Sequence, residues 1–187
     1  MKQKNLALEM LKKLLEGNLK AIERTNLVKS EKFSEKLKKA LNKYRNQAIT
    51  NAEVIEELIK MAHELKNIKT REQELGLSED EIAFYDALTA DDAVKEFIND
   101  ETLKKISYEL TVAIRRNLTI DWSIRKSAQA GMRKIIKRLL KKYDYPPEQA
   151  KQALETVMRQ AELMCGNTAL EDIAVDKVAE DKAEYFV

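Results

Sequence analysis

Six cations on one stretch are the residues of this 187-residue sequence whose types and spacing come closest to chemistry. Lys126, Arg133, Lys134, Lys137, Arg138 and Lys141 recur at helical spacing, so at about 100° per residue they share one side of a helix. Ala128, Met132, Ile135, Ile136, Leu139 and Tyr143 share the other side. A basic stripe of this kind is the electrostatic footprint of phosphate binding. No aromatic residue is interleaved with the cations for base stacking, so any contact is to backbone phosphate alone. The competing reading is a merely solvated or protein-facing surface.

Other groups that could do chemistry are weaker. Asp121 and Arg125 stand four residues apart beside Trp122, on the apolar side of the same wheel. They read as a structural ion pair at a helix start, since no second carboxylate, histidine or nucleophile accompanies them. His63 is the one histidine and Cys165 the one cysteine, which excludes a multi-histidine metal site, a thiolate cluster and an internal disulfide. Glu79-Asp80-Glu81 resembles a metal-binding carboxylate cluster, but a helix first turn explains it without a metal. GxGxxG and GxxxxGK[ST] are both absent, so no nucleotide phosphate loop is encoded. The residues alone therefore define no catalytic, cofactor or metal site.

The elements that must position these residues are helices. Four glycines and two prolines cannot supply the repeated turns of a sandwich, barrel or doubly wound sheet, while 44% hydrophobic residues are enough for a core. The expected fold is all-α, an irregular multi-helix bundle. Leu6, Met10 and Leu14, with Leu11, Leu15, Leu19 and Ile22, mark a first amphipathic helix that Gly17-Asn18 should bend or end early. Residues 30–75 contain no glycine or proline, and Leu41, Ala48, Ile55 and Ala62 repeat every seven residues. One very long helix is expected there, ~68 Å at 1.5 Å per residue.

Gly76 should stop that helix, and Ser78-x-x-Glu81 should cap the next. Thr89 and Asp100 are the expected caps of two further helices, over about residues 90–98 and 101–117. A helix from about Trp122 to Tyr143 follows, and Pro146-Pro147 opens a last one closed by Gly166. The domain reading is one helical domain over residues 1–166 and an acidic tail, docked or frayed, over 167–187. No run approaches a membrane span and no signal peptide is evident, so the expected location is the cytoplasm.

The 34 basic and 32 acidic residues are not evenly mixed. Residues 1–50 carry a net +8, 51–110 carry −9, 111–143 carry +9 and 144–187 carry −6. Blocks of opposite sign can face one another in the fold, which competes directly with phosphate binding as an account of the third block.

Four stretches resemble the C-terminal helical region of the restriction (R) subunit of type I restriction-modification enzymes. They are NLVKSEKFSEKLKKALNKYRNQAITNAEVIEELIKMAHEL (26–65), GLSEDEIAFYDAL (76–88), DETLKKISYEL (100–110) and TIDWSIRKSAQAGMRKIIKRLLKKYDYPP (119–147). The likeness runs from about residue 6 to Cys165 and is most specific in the TIDW and KRLLKKYDYPP runs. It implies a C-terminal piece of a much longer subunit that cleaves DNA after ATP-driven translocation, with Met1 a cloning start. The whole subunit would be an ATP-dependent type I site-specific deoxyribonuclease needing ATP and Mg2+; neither cofactor is expected in this fragment, and no catalytic residue is carried over.

The implied partners are the methyltransferase and specificity subunits and the motor lobes of the parent subunit, with the DNA backbone in addition. The leading functional expectation is thus a non-catalytic module docking the subunit onto the methyltransferase core. The alternative is a DNA-phosphate contact module using the basic face of residues 111–143. Gly131 departs from the family pattern, and a mid-helix glycine, about 1 kcal/mol worse than alanine, points to close backbone packing or local weakness.

Overall fold

In a computed structural model, the structure describes residues 2–117, 122 and 124–184, with side chains described for 6–68, 70, 76–117, 122 and 124–166. The described residues form eight helices and no strand: α1 (Lys2–Glu23), α2 (Leu27–Arg45), α3 (Asn51–Leu75), α4 (Glu79–Leu88), α5 (Val94–Phe97), α6 (Asp100–Asn117), α7 (Lys126–Lys142) and α8 (Pro147–Glu184). The all-α expectation holds. The chain divides into two compact units, Met1–Asp86 and Ala87–Val187, with the boundary inside α4.

The single helix expected over residues 30–75 is in fact two. α2 ends at the Asn46 cap, Gln47 takes a left-handed φ of 57°, and Thr50 opens α3. Thr50 Oγ1 accepts from the Glu53 N–H at 3.3 Å while Glu53 Oε2 accepts from the Thr50 N–H at 2.6 Å. This capping box satisfies orphan donors at the new helix start, so a break without glycine or proline is stable. The heptad register breaks there too. Ala48 is exposed, and the buried seam of α3 is Val54, Leu58, Met61 and Leu65.

In the first unit, α1, α2 and α3 pack on one another around Leu8, Leu15, Leu19, Phe33, Leu37, Leu58 and Met61. Lys36 Nζ to Glu64 at 2.7 Å and Lys43 Nζ to Glu57 at 3.2 Å set α2 and α3 antiparallel. Asn26, unremarked in the sequence, caps α2 by accepting from the Lys29 N–H at 3.0 Å. Its amide donates to Asp86 at 2.6 Å, and Lys29 Nζ joins the same carboxylate at 3.1 Å. Gly17 does not interrupt α1, whereas Gly76 ends α3 with a φ of 65°, as its position predicts.

In the second unit, α7 packs against both α6 and α8. Its core includes Leu103, Ile106, Leu110 and Ile114 of α6, Met132, Ile136 and Leu140 of α7, and Leu154, Val157 and Met158 of α8. Tyr145, between α7 and α8, is buried and its hydroxyl donates to the Leu88 carbonyl at 2.6 Å. Burial, aided by the Asp91 carboxylate, holds this phenol well above its usual pKa.

Three local expectations in this unit are corrected. Asn99 rather than Asp100 caps α6, its side chain accepting from the Thr102 N–H at 2.8 Å. The helix expected over 90–98 shrinks to Val94–Phe97, because Asp91 accepts from the Ala93 N–H and closes a turn ahead of it. Gly166 does not close α8, whose backbone stays helical to Glu184.

Candidate interaction site

The basic helix forms, but it starts four residues later than expected. Trp122 is a fully buried turn residue ahead of it, and its Nε1 has no hydrogen-bond partner among the described residues. Arg125 occupies the N-cap position in an extended conformation, φ −83° and ψ 108°, and is exposed. It thus precedes the helix rather than lying on its apolar side. Asp121 lies outside the described residues.

Within α7 the wheel reading is sound. Met132, Ile136 and Leu140 are buried; Ile135, Leu139 and Tyr143 are half-buried; Lys126, Lys134, Lys137, Arg138 and Lys141 are exposed. The edges of the cationic face are tied to the neighbouring helices. On one flank Arg133 forms an ion pair with Glu155 of α8. On the other, Lys142 Nζ reaches both oxygens of Glu109 on α6, at 2.7 and 2.8 Å, and the Tyr143 hydroxyl donates to the same carboxylate at 2.6 Å.

These contacts, Lys142 first and Tyr143 second, hold the Glu109 carboxyl below its usual pKa. Opposite charge blocks do face each other, in the first unit through Lys36–Glu64 and Lys43–Glu57 and in the second along the edges of α7. Arg133 belongs to this clasp rather than to the free face. No ion pair joins Lys126, Lys134, Lys137, Arg138 or Lys141 to a described acidic residue.

A second outer face was missed as such in the sequence. Leu6, Met10 and Leu14 of α1 are 61%, 63% and 54% exposed, although Leu8, Leu15 and Leu19 of the same helix are buried. Successive members are four residues apart, so they form one apolar stripe roughly on the opposite side of the helix from the buried one. The only available signal was that α1 carries more leucines than one buried face requires.

The remaining candidates bring little together. Ser78 and Glu81 form the expected capping box, with the Ser78 N–H donating to Glu81 at 2.7 Å, and Glu79 and Asp80 stand beside it in the first turn of α4. His63 is exposed on α3 and Cys165 is buried on α8. Among the described residues no three His, Cys, Asp or Glu side chains are grouped to hold a metal. An open hollow of about 370 Å³ in the first unit is lined by Asn18, Ala21, Ile22, Thr25, Leu65 and Lys66, among others, and holds no nucleophile with a base. No helix among the described residues is long and apolar enough to cross a membrane.

Among the described residues the chain is all-helical, and two of its helices carry distinct outer faces, one apolar and one cationic. Residues 1–167 match the family described as "Type I restriction enzyme HindI endonuclease subunit-like, C-terminal", and the chain belongs to that family. It is 36% identical over 159 residues to the "Type I restriction enzyme HindI endonuclease subunit" of Haemophilus influenzae, covering 85% of this chain and 15% of that protein. It is 32% identical over 140 residues to the "Putative type I restriction enzyme MjaIXP endonuclease subunit" of Methanocaldococcus jannaschii, covering 74% of this chain and 13% of that protein. The chain thus spans about a seventh of the length of these relatives. No solved structure matches it at a meaningful level.

Proposed function

We propose that this region is a non-catalytic docking module that seats a type I restriction endonuclease subunit on the methyltransferase core of its complex, in the cytoplasm. Family membership supports the setting, since the relatives are named as subunits of multi-subunit restriction enzymes. The observation that carries the docking role is the Leu6, Met10 and Leu14 stripe. Isolated exposed apolar residues are ordinary, but a row on one helix face is what a protein partner covers. Specificity subunits and the motor lobes of the parent subunit are further partners under this reading.

ATP and Mg2+ would serve the cleavage and translocation of the whole subunit, an ATP-dependent site-specific deoxyribonuclease. The described residues do not fit either group: they lack a phosphate loop and a clustered set of metal ligands.

The test is retention of this chain on immobilised methyltransferase core at low salt. The wild type is expected to be retained, and Met10→Glu with Leu14→Glu to reduce retention at least tenfold. Absence of wild-type binding at low salt would overturn the docking reading.

A further inference from the structure

We propose that the outer face of α7 binds the phosphate backbone of duplex nucleic acid, by charge and without reading sequence. Lys134, Lys137, Arg138 and Lys141 fall within roughly 100° of one another on the helix, with Lys126 at their N-terminal edge. All five are exposed. The edges of α7 are already neutralised by Glu155 and Glu109, which hold Arg133 and Lys142 against α8 and α6. Those pairs lie on the flanks of α7, and the ridge between them is exposed positive charge.

The first turn of α7 adds to it. It carries no acidic residue, so the positive end of the helix dipole adds to the same field.

The length suits a duplex. From Lys126 to Lys141 the ridge runs ~22 Å at 1.5 Å per residue, opposite roughly six phosphates of one strand at 3.4 Å per charge. Between these cations the same face carries only Ser127 and Ala130, both small and exposed, so the helix can approach a smooth rod closely.

Three other partners fit less well. A protein interface needs an apolar or aromatic anchor at its centre, and this face of α7 has none. An anionic membrane would be bound by an amphipathic helix inserting its apolar side, but that side of α7 is buried in the core. Single strands are disfavoured because no aromatic stands among the cations for bases to stack on.

The experiment is a titration of this chain with a fluorescent 20-base-pair duplex at several salt concentrations. About 0.9 is expected in the slope of log K against log salt for each neutralised phosphate, so five cations predict a slope near −4.5. Two duplexes of unrelated sequence should bind within twofold of each other. The triple variant Lys134→Glu, Lys137→Glu and Arg138→Glu should bind at least tenfold more weakly with a slope no steeper than about −2, and keep the wild-type circular dichroism. Lys134→Arg with Lys137→Arg should bind like the wild type.

Lys12→Glu, Lys13→Glu and Lys20→Glu on α1 change the net charge equally and should leave binding within twofold. Salt-independent or absent binding, equal loss in the α1 variant, or an unchanged slope in the α7 variant would each overturn the proposal. So would displacement of the duplex by polyglutamate at equal charge concentration, which would mark an acidic protein surface as the partner, or tighter binding to vesicles of anionic lipid.

Discussion

α1 and α7 invite comparison because each buries one apolar stripe and presents something different on the side away from it. α1 buries Leu8, Leu15 and Leu19 and exposes Leu6, Met10 and Leu14; α7 buries Met132, Ile136 and Leu140 and exposes a row of lysines with Arg138. The buried stripes do the same work, removing apolar area from water at about 25 cal/mol per Å². The outer stripes differ in range and partner: an apolar row acts only on contact, whereas a cationic row acts over roughly a Debye length, about 8 Å at physiological salt. One comparison thus separates residues that make the fold from residues that select what the fold meets.

The largest expected effect sharpens that separation on adjacent residues. Leu15 is 1% exposed, and Leu15→Ala should lower unfolding stability by about 2–5 kcal/mol, as large-to-small core changes do. Leu14→Ala, one residue earlier at 54% exposure, should stay within about 0.5 kcal/mol of the wild type. Urea denaturation of the two variants measures both; equal losses would mean that the outer stripe also belongs to the core.

In the second unit Tyr145→Phe removes the donor to the Leu88 carbonyl while keeping the ring, and should cost about 1–2 kcal/mol in the same assay.

Gly131 gives a smaller effect of opposite sign. A Cβ built there meets nothing within 4 Å, so its place in α7 is not explained by close backbone packing. The local weakness is what stays, and Gly131→Ala should raise stability by about 0.5–1 kcal/mol in thermal denaturation. A loss would show that α7 needs the glycine for a contact not seen in the free chain.

The smallest effect is that of the Glu109 clasp, a pair so near the surface that solvent screens most of it. Because Glu109 is held below its usual pKa in the folded chain, its contribution is present above the ordinary carboxylate range. It is lost as pH falls through the lowered value. Glu109→Gln should therefore melt below the wild type at neutral pH and alongside it under strongly acidic conditions.

Much of this was legible in the sequence. The glycine and proline shortage gave the all-α class, Gly76 and Ser78-x-x-Glu81 gave a helix stop and start, and the period of α7 separated its core from its cations. Misreadings came where two local signals compete. The run from 30 to 75 lacks helix breakers, yet Thr50-x-x-Glu53 is a capping box in its midst, and hydrogen bonding at the ends of two helices outweighed a weak heptad.

Asn99 and Asp100 are both good caps, and nothing in their order says which is used. On α1, spacing reveals two apolar stripes but not which one a neighbouring helix will cover, because that depends on the packing of α2 and α3. Asn26 joins Asp86 across sixty residues, a pairing no local pattern carries.

The most direct test of the account crosses the two faces with their two partners. Retention on the methyltransferase core and affinity for duplex DNA are measured in parallel for the wild type, for Met10→Glu with Leu14→Glu, and for the α7 triple variant. The account predicts that the α1 variant loses the core and keeps DNA binding within twofold, while the α7 variant loses DNA and keeps the core. Loss of core binding in the α7 variant with none in the α1 variant would contradict it, by moving the docking surface from the apolar stripe of α1 to the charged ridge of α7.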